Sequence, residues 1–282
     1  MAIKINIKQA LQHAGRELVR LNYPAHDAAI LLADILGKDV EYLFTYPERR
    51  LTRKQIQAFN VYLLKRSRGY SVAVIIGYKH FFGKKFKVSK DTLIPRPETE
   101  LMTELALKRL KSMNNATVLD LGTGSGNIIV SLASEANDSG HEYYGSDISS
   151  AALKVARHNA KQHKTKVKFI KSNLFSDIPR NKFDLITANL PYLTTKQMSE
   201  PSIYHEPAEA LWGGPGGLEL YKIMLDQVQP FVSNKALLLM EIDPKQKQGL
   251  KDLLRQPHIN LGIIDTIQDL AGHDRILAAR RN

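Results

Sequence analysis

Cysteine is absent from the 282 residues, which removes disulfides, thiolate zinc sites, iron–sulfur clusters and any cysteine nucleophile. Long apolar runs are also missing. None approaches the ~18 residues of a membrane helix, and the opening MAIKINIKQA lacks the apolar stretch of a secretory leader. No membrane partner and a cytoplasmic location are therefore expected. There is no internal repeat or low-complexity tract. What is present, 43% hydrophobic and 24% charged residues, describes a folded chain rather than a disordered one. At roughly 100–200 residues per domain, the length suits one large or two modest domains. Forty Lys and Arg against 28 Asp and Glu give a formal charge of +12, which favours an acidic partner such as nucleic acid, a ribosome-associated complex or an acidic protein. The basic residues are spread along the chain in short clusters such as Lys84-Lys85-Phe86-Lys87, and a solvated surface explains them equally well.

The first seventy residues read as helical. Ile7, Leu11, Ala14, Leu18 and Leu21 repeat at spacings of four and three, Pro24 opens a second helix that stops at Gly37, and Thr52 with Gln55 forms a capping box for a third ending near Gly69. From Val72 to Val88, β-branched and aromatic residues around Gly77 and Gly83 predict a strand and a short hairpin joining two domains. Ile94-Pro95-Arg96-Pro97-Glu98-Thr99-Glu100 then leads into a helix. Beyond residue 115 strands and helices alternate, the rhythm of a parallel sheet covered on both faces. Strands are expected at Thr117–Leu121, Tyr143–Asp147, Val167–Ile170, Asp184–Ala188 and Ala236–Ile242. An antiparallel pair at Leu261–Ile267 and Ile276–Ala279 is expected at the sheet edge.

Asp120-Leu121-Gly122-Thr123-Gly124-Ser125-Gly126 lies between a strand and a helix, where alternating glycines let a ligand rest on main-chain atoms. No Gly-Lys-Ser/Thr follows, so a phosphate-gripping loop is disfavoured. Asp147 ends the second strand, where a carboxylate can accept from two ribose hydroxyls or simply cap the next helix. Asn189-Leu190-Pro191-Tyr192 ends the fourth. The Asn189 side-chain oxygen and the Leu190 carbonyl make two adjacent acceptors suited to an –NH₂ group, and Tyr192 can pack on a planar substrate; an ordinary turn has the same composition.

With these segments the sequence resembles, over nearly its whole length, the protein-(glutamine-N5) methyltransferases of class 1 peptide chain release factors, the PrmC/HemK family. The resemblance also rests on Phe82-Gly83, Ser146-Asp147-Ile148-Ser149, Glu206-Pro207, Gly213-Gly214, Gly217-Leu218, Tyr221 and Gly272-His273-Asp274-Arg275. It implies an α/β fold of class I methyltransferases with a Rossmann-like seven-stranded sheet. A helical domain over 1–71 would help dock the release factor, a β-hairpin linker would cover 72–94, and the methyltransferase domain would cover 95–282. The implied cofactor is S-adenosylmethionine, leaving as S-adenosylhomocysteine, and the implied acceptor is the glutamine of the factor's Gly-Gly-Gln motif. By the family's pattern Gly122, Thr123, Gly124, Ser125 and Gly126 would line the cofactor, together with Asn189. Asp147 would hold its ribose, and Leu174 would lie near the adenine. Asn189, Leu190, Pro191 and Tyr192 would be the catalytic and substrate-binding residues. No metal, no stable nucleic-acid binding and a monomer are expected.

The sequence departs from the family where Leu190 replaces the first proline of Asn-Pro-Pro-Tyr. Pro191 still favours an extended Leu190, but Asn189 loses the matching restraint, so a looser site is expected. Asn173, Gly216, Asp243, Ser71 and Val74 depart likewise from the common residues. Two alternatives stay open at this point: an amino-methyltransferase acting on an exocyclic amine of adenine or cytosine, and a protein that binds the cofactor without catalysis. His273-Asp274 reads as a structural turn. Arg96, Glu98 and Glu100 suit a helix start and an interdomain ion pair as well as a site, and Trp212 suits packing under a loop as well as gating.

Overall fold

The computed structural model describes residues 5–136, 140–200, 203 and 205–281; the first four residues of the opening MAIKINIKQA lie outside them. The chain divides into two units, Met1–Gly77 and Tyr78–Asn282.

The first unit is helical: α1 (Ile7–Arg20), α2 (Asp27–Leu36), α3 (Val40–Thr45), α4 (Arg53–Ser67) and α5 (Val72–Ile76). Ile7, Ala14 and Leu18 of the expected stripe are buried with Leu31, Leu32 and Phe59. Leu21 lies just past α1 and is exposed, because the helix ends one residue earlier. Arg66 donates to the buried Asp27 at 2.8 Å and stacks on Tyr23. The strand expected from Val72 is instead α5. The Ser71 hydroxyl accepts from the Val74 amide, Gly77 closes the turn at φ 83°, and Ala73 and Ile75 are buried, Ile75 in the core of the bundle. Burial and two good caps outweigh the strand preference of valine and isoleucine. The boundary therefore falls at Gly77, and the hairpin β1 (Tyr78–Phe81)–β2 (Lys84–Lys87) belongs to the second unit.

The second unit is built on a seven-stranded sheet: β3 (Thr117–Leu121), β4 (Glu142–Asp147), β5 (Lys168–Lys171), β6 (Phe183–Ala188), β7 (Val232–Glu241), β8 (Leu261–Gln268) and β9 (Asp274–Arg281), in the order β5-β4-β3-β6-β7-β9-β8. The first five strands run parallel and β9 lies antiparallel between β7 and β8, as the short spacing predicts. Alternate side chains enter opposite cores. Leu237 and Leu239 pack with α6 (Glu100–Leu110) and α7 (Asn127–Glu135) on one face, while Leu238 and Met240 pack with α9 (Glu219–Val228) and α10 (Lys247–Leu254) on the other. The remaining helix, α8 (Ser150–Gln162), follows β4.

This order fixes the functional crevice. The chain winds outward from β3 through β4 to β5, then returns to place β6 on the other side of β3, so the crevice opens at the carboxyl ends of β3 and β6. The register pairs Leu121 with Ala188 and Leu121 with Ser146, which brings the glycine loop, Asn189 and Asp147 side by side.

Candidate active site

The loop after β3 takes left-handed conformations at Gly122, Gly124 and Gly126, with φ of 72°, 54° and 79°. A side chain at Gly122 would press on Leu190 at 3.0 Å, and one at Gly126 on the α8 backbone at 3.3 Å, so both positions require glycine. The loop is pinned from below. Asp120 is fully buried, accepting from Thr123 Oγ1 at 2.6 Å and Thr187 Oγ1 at 2.7 Å, and burial pushes its carboxyl up to about 6. Asp147 braces it from the side: Oδ2 accepts from the Gly124 amide and Oδ1 from the Ser149 amide, both at 2.8 Å. Burial raises the Asp147 pKa against these hydrogen bonds. The carboxylate thus serves the turn into α8, and it also faces a cavity.

That cavity has a volume of about 570 Å³, with Gly122, Gly124, Asp147, Ile148, Leu174 and Asn189 among its walls. Thr123, Ser125 and Gly126 are not among the lining residues. Thr123 and Ser125 are buried beneath the loop, where Asn159 of α8 donates to the Ser125 carbonyl at 2.8 Å. Leu174 is held at φ 49°, unusual for a non-glycine residue, with its carbonyl fixed by the Ser172 hydroxyl at 2.7 Å. Asp91, Asp147 and Glu209 line the cavity, while none of the described residues lining it is Lys, Arg or His. Such a wall suits a cationic nucleoside and disfavours a phosphate group. A floor of main-chain atoms, a carboxylate for vicinal hydroxyls and apolar Ile148 and Leu174 for a planar base fit an adenosyl sulfonium.

A second cavity of about 210 Å³ adjoins it, and Leu93, Asn189, Leu190, Pro191 and Ala210 line both. Here the site depends on residues far away in sequence. Thr99 donates to Glu241 Oε2 at 2.7 Å, and the Asn189 side-chain NH₂ donates to Thr99 Oγ1 at 3.2 Å. The Thr99 proton is committed to the carboxylate, so its lone pairs meet the Asn189 amino group, and the Asn189 oxygen is turned away as an acceptor. Glu241 lines the smaller cavity but is 1% exposed, and burial pushes its carboxyl up to about 7. The Tyr192 hydroxyl stands 3.5 Å from Glu241 Oε1; burial first, then this carboxylate, raises the Tyr192 pKa, keeping the phenol neutral.

Leu190 carries an amide N–H that proline would lack, and the structure satisfies it. The N–H donates to the Tyr221 hydroxyl at 3.3 Å, and that hydroxyl donates in turn to the Glu241 carbonyl at 2.5 Å. The Leu190 side chain is 3% exposed and joins the core under Gly122. A tether from α9 thus stands in for part of the lost proline restraint. Gln246 donates to the Tyr192 carbonyl at 2.7 Å, and a side chain at Gly213 would meet the Pro191 carbonyl at 2.5 Å, so this glycine permits the close approach of a bracing loop.

Among the other sequence candidates, Arg96 lines the smaller cavity and pairs with Glu206 at 2.5 Å, an ion pair inside the second unit rather than between domains. Glu100 accepts from the Phe82 amide at 2.8 Å and staples the hairpin to α6. Trp212 is 48% exposed at the larger cavity, its Nε1 donating to Thr195, and so does not pack under a loop. His273 sits in the β8–β9 turn, and Asp274 pairs with Lys247 at 2.8 Å. Glu241 and Gln246 carry no motif of their own to mark them, and Tyr221 enters through the family resemblance with no local pattern to show its hydrogen bonds. The available signal was a carboxylate inside the otherwise apolar run Ala236–Ile242, a residue that must be partnered or neutral when buried.

Comparison with known proteins identifies the family. A methyltransferase domain family matches residues 112–213, and a PrmC N-terminal domain family matches residues 9–77. A release factor glutamine methyltransferase of Coxiella burnetii is 35% identical over 279 residues, covering 98% of this chain and 99% of that protein. The chain belongs to the release factor glutamine methyltransferase family. Another member, from Aliivibrio fischeri, is 34% identical over 98% of this chain and 96% of its own. A bifunctional methyltransferase of Rickettsia bellii is 34% identical over 95% of this chain, which spans 52% of that longer protein. Among solved structures, a ribosomal protein L11 methylase of Lactobacillus delbrueckii superposes with a TM-score of 0.51 at 19% identity, over 73% of this chain and 90% of that one. A methyltransferase of Pyrococcus furiosus gives 0.52 at 14%, over 79% and 96%. These two share the fold of this chain.

Proposed function

We propose that the chain transfers a methyl group to the side-chain amide nitrogen of the glutamine in the Gly-Gly-Gln motif of class 1 peptide chain release factors. The observation that carries this reading is the shared wall: Asn189, Leu190 and Pro191 separate an acidic, glycine-floored cavity from a smaller one beside it. On this reading Gly122, Gly124, Asp147 and Leu174 hold S-adenosylmethionine, whose sulfonium supplies an already activated methyl group. Thr123, Ser125 and Gly126 act from beneath, by shaping the loop.

The chain's own task is the nucleophile. An amide nitrogen shares its lone pair with its carbonyl, so it must be oriented and kept from water. The Asn189 oxygen and the Leu190 carbonyl accept the two amide hydrogens, the relay through Thr99 to Glu241 keeps the Asn189 oxygen facing the substrate, and neutral Tyr192 packs on the amide plane. No covalent intermediate with the chain is needed: the nitrogen–methyl bond would form as the sulfur–methyl bond breaks, leaving neutral S-adenosylhomocysteine, and the one proton lost from the nitrogen would pass to solvent.

The test is transfer of labelled methyl from S-adenosylmethionine to purified release factor, to the factor with its Gly-Gly-Gln glutamine replaced, and to total RNA and DNA. Label on the intact factor alone is expected. Label on nucleic acid would replace this reading with an exocyclic-amine methyltransferase. Absence of label on every acceptor, despite tight cofactor binding, would leave a binding protein without catalysis.

A further inference from the structure

The chain's charge appears scattered in sequence, yet the fold gathers it. Residues 78–90 contain five lysines, and residues 148–176 contain six lysines and one arginine; neither segment contains an Asp or Glu. Setting these twelve aside from the chain's 40 Lys and Arg leaves 28, equal to its 28 Asp and Glu. The whole formal charge of +12 therefore resides in two segments separated by 57 intervening residues, and they are packed against each other. Asn159 of α8 exchanges hydrogen bonds with both backbone groups of Lys87, at 2.8 and 3.0 Å, and Gln162 donates to the Lys85 carbonyl at 2.9 Å. Phe86 turns inward and is fully buried, so Lys85 and Lys87 turn outward by strand alternation. On α8, Ala152, Leu153, Val155, Ala156 and Ala160 face the core, leaving Lys154, Arg157, His158 and Lys161 exposed. Lys164 and Lys166 continue this exposed surface past the end of α8, and Lys171 joins it on the edge strand β5, whose Lys168 turns instead to the opposite face of the sheet beside Tyr144 and Glu142.

Only two of the twelve cations have carboxylate partners among the described residues: Lys84 with Glu135 and Lys168 with Glu142. A lysine or two on an edge strand guards against sheet extension, but that purpose does not explain the hairpin or the helix. The character of the face also discriminates between partners. Eleven of the twelve cations are lysine, and apart from Ile148 at the larger cavity neither segment exposes a large apolar side chain. Protein interfaces are depleted in lysine and built around apolar and aromatic anchors, whereas phosphate backbones are held by such point charges.

We propose that the face formed by β1–β2, α8 and β5 binds the phosphate backbone of RNA in a sequence-independent, salt-sensitive contact. The choice of RNA over DNA rests on the reading of the substrate as a factor of translation; the basic face itself does not. Such a contact is transient at physiological salt, which reconciles it with the expectation of no stable nucleic-acid binding.

The test uses the full chain and a 20-base-pair RNA duplex. Affinity is expected to fall about 10²-fold between 50 and 200 mM salt for roughly four phosphate contacts. The triple variant Lys154→Glu, Lys161→Glu, Lys164→Glu should weaken binding at least about tenfold and lower the salt slope by about one per lysine. A control triple of equal charge on other exposed sites, Lys108→Glu, Lys111→Glu, Lys222→Glu, should stay within about threefold. Cofactor binding by both triples reports that they fold. Equal loss in the control, or none in the first triple, would overturn the proposal. So would polyglutamate competing as well as RNA at equal charge, which points to an acidic protein, or tighter binding to the matching DNA duplex. Methyl transfer to free release factor should persist in both triples. A wild-type chain that leaves the factor unmodified while RNA binding still maps to this face would count against the functional reading and support the face.

Discussion

The two cavities that meet at Asn189 are built by different means. The larger one is floored by a run of consecutive residues, a strand end and three left-handed glycines, which a carboxylate one strand away braces through a main-chain amide. The walls of the smaller one, Asn189 to Tyr192 and Glu241, are held from behind by Thr99, Tyr221 and Gln246, which come from separate parts of the second unit. A pocket floored by backbone atoms depends on few residues: its glycines and the Asp147 carboxylate that braces them. A pocket of relayed side chains lets a change at one member, such as leucine for proline at 190, be offset by another, here the Tyr221 hydroxyl. Substitutions in the first should therefore act on cofactor affinity, and substitutions in the second on turnover.

Asn189→Ala should show the largest effect, since it deletes an acceptor aimed at the reacting nitrogen. Turnover on release factor is expected to fall about 10²–10³-fold, and an effect within a few-fold would remove Asn189 from the mechanism. Glu241→Gln probes the relay through stability. The native carboxyl titrates near 7 against 4.5 for the free group. Its contribution is thus fully present below 4.5 and is lost as pH rises through 7. Glutamine does not titrate, so the melting temperature of the variant relative to wild type should climb between pH 5 and 8. At ~1.4 kcal/mol per pKa unit the gain is at most a few kcal/mol. A flat difference across that range would mean that Glu241 is ionised in the fold.

The same contrast explains what could be read in advance. The parallel strands, the antiparallel edge pair, the glycine loop and the positions of Asp147 and Asn189 follow from periodicity and from residues adjacent in sequence. Val72–Ile76 did not, because strand-favouring side chains are held helical by Ser71, Gly77 and burial in the bundle. Thr99 and Glu241 meet across 142 positions, and no local pattern announces that pairing. The basic face escaped for the same reason: each lysine cluster is ordinary alone, and long-range contacts such as those of Asn159, Gln162 and His163 with the hairpin bring the two together.

Asp147→Ala separates the pockets from the other side. Losing a charge-assisted hydrogen bond of ~1.5–3 kcal/mol should weaken cofactor binding 10- to 100-fold by calorimetry. Turnover at saturating cofactor should change far less, and a variant that lost turnover but not affinity would undo the division. Thr99→Val frees the Asn189 amide to rotate and should lower turnover about tenfold at unchanged cofactor affinity, while Thr99→Ser restores it. Failure of serine to rescue would show that the threonine methyl, not the relay, is what the site needs.

The smallest effect is expected from the replaced proline itself, and it is best read as a coupling. Tyr221→Phe strands the Leu190 amide and the Glu241 carbonyl, each buried, and should cost about 1–3 kcal/mol. Leu190→Pro removes the N–H and restrains Asn189, but gives up part of a side chain packed beneath Gly122. If the Tyr221 hydroxyl compensates for the missing proline, Tyr221→Phe should be milder by about 0.5–1.5 kcal/mol in the Leu190→Pro background, because one of its stranded partners no longer exists. The cycle is measured by denaturant unfolding, with turnover recorded in parallel. Strict additivity would mean that the hydroxyl serves only the Glu241 and Ala188 carbonyls, and that Asn189 is held in place by its bond to Thr99 alone.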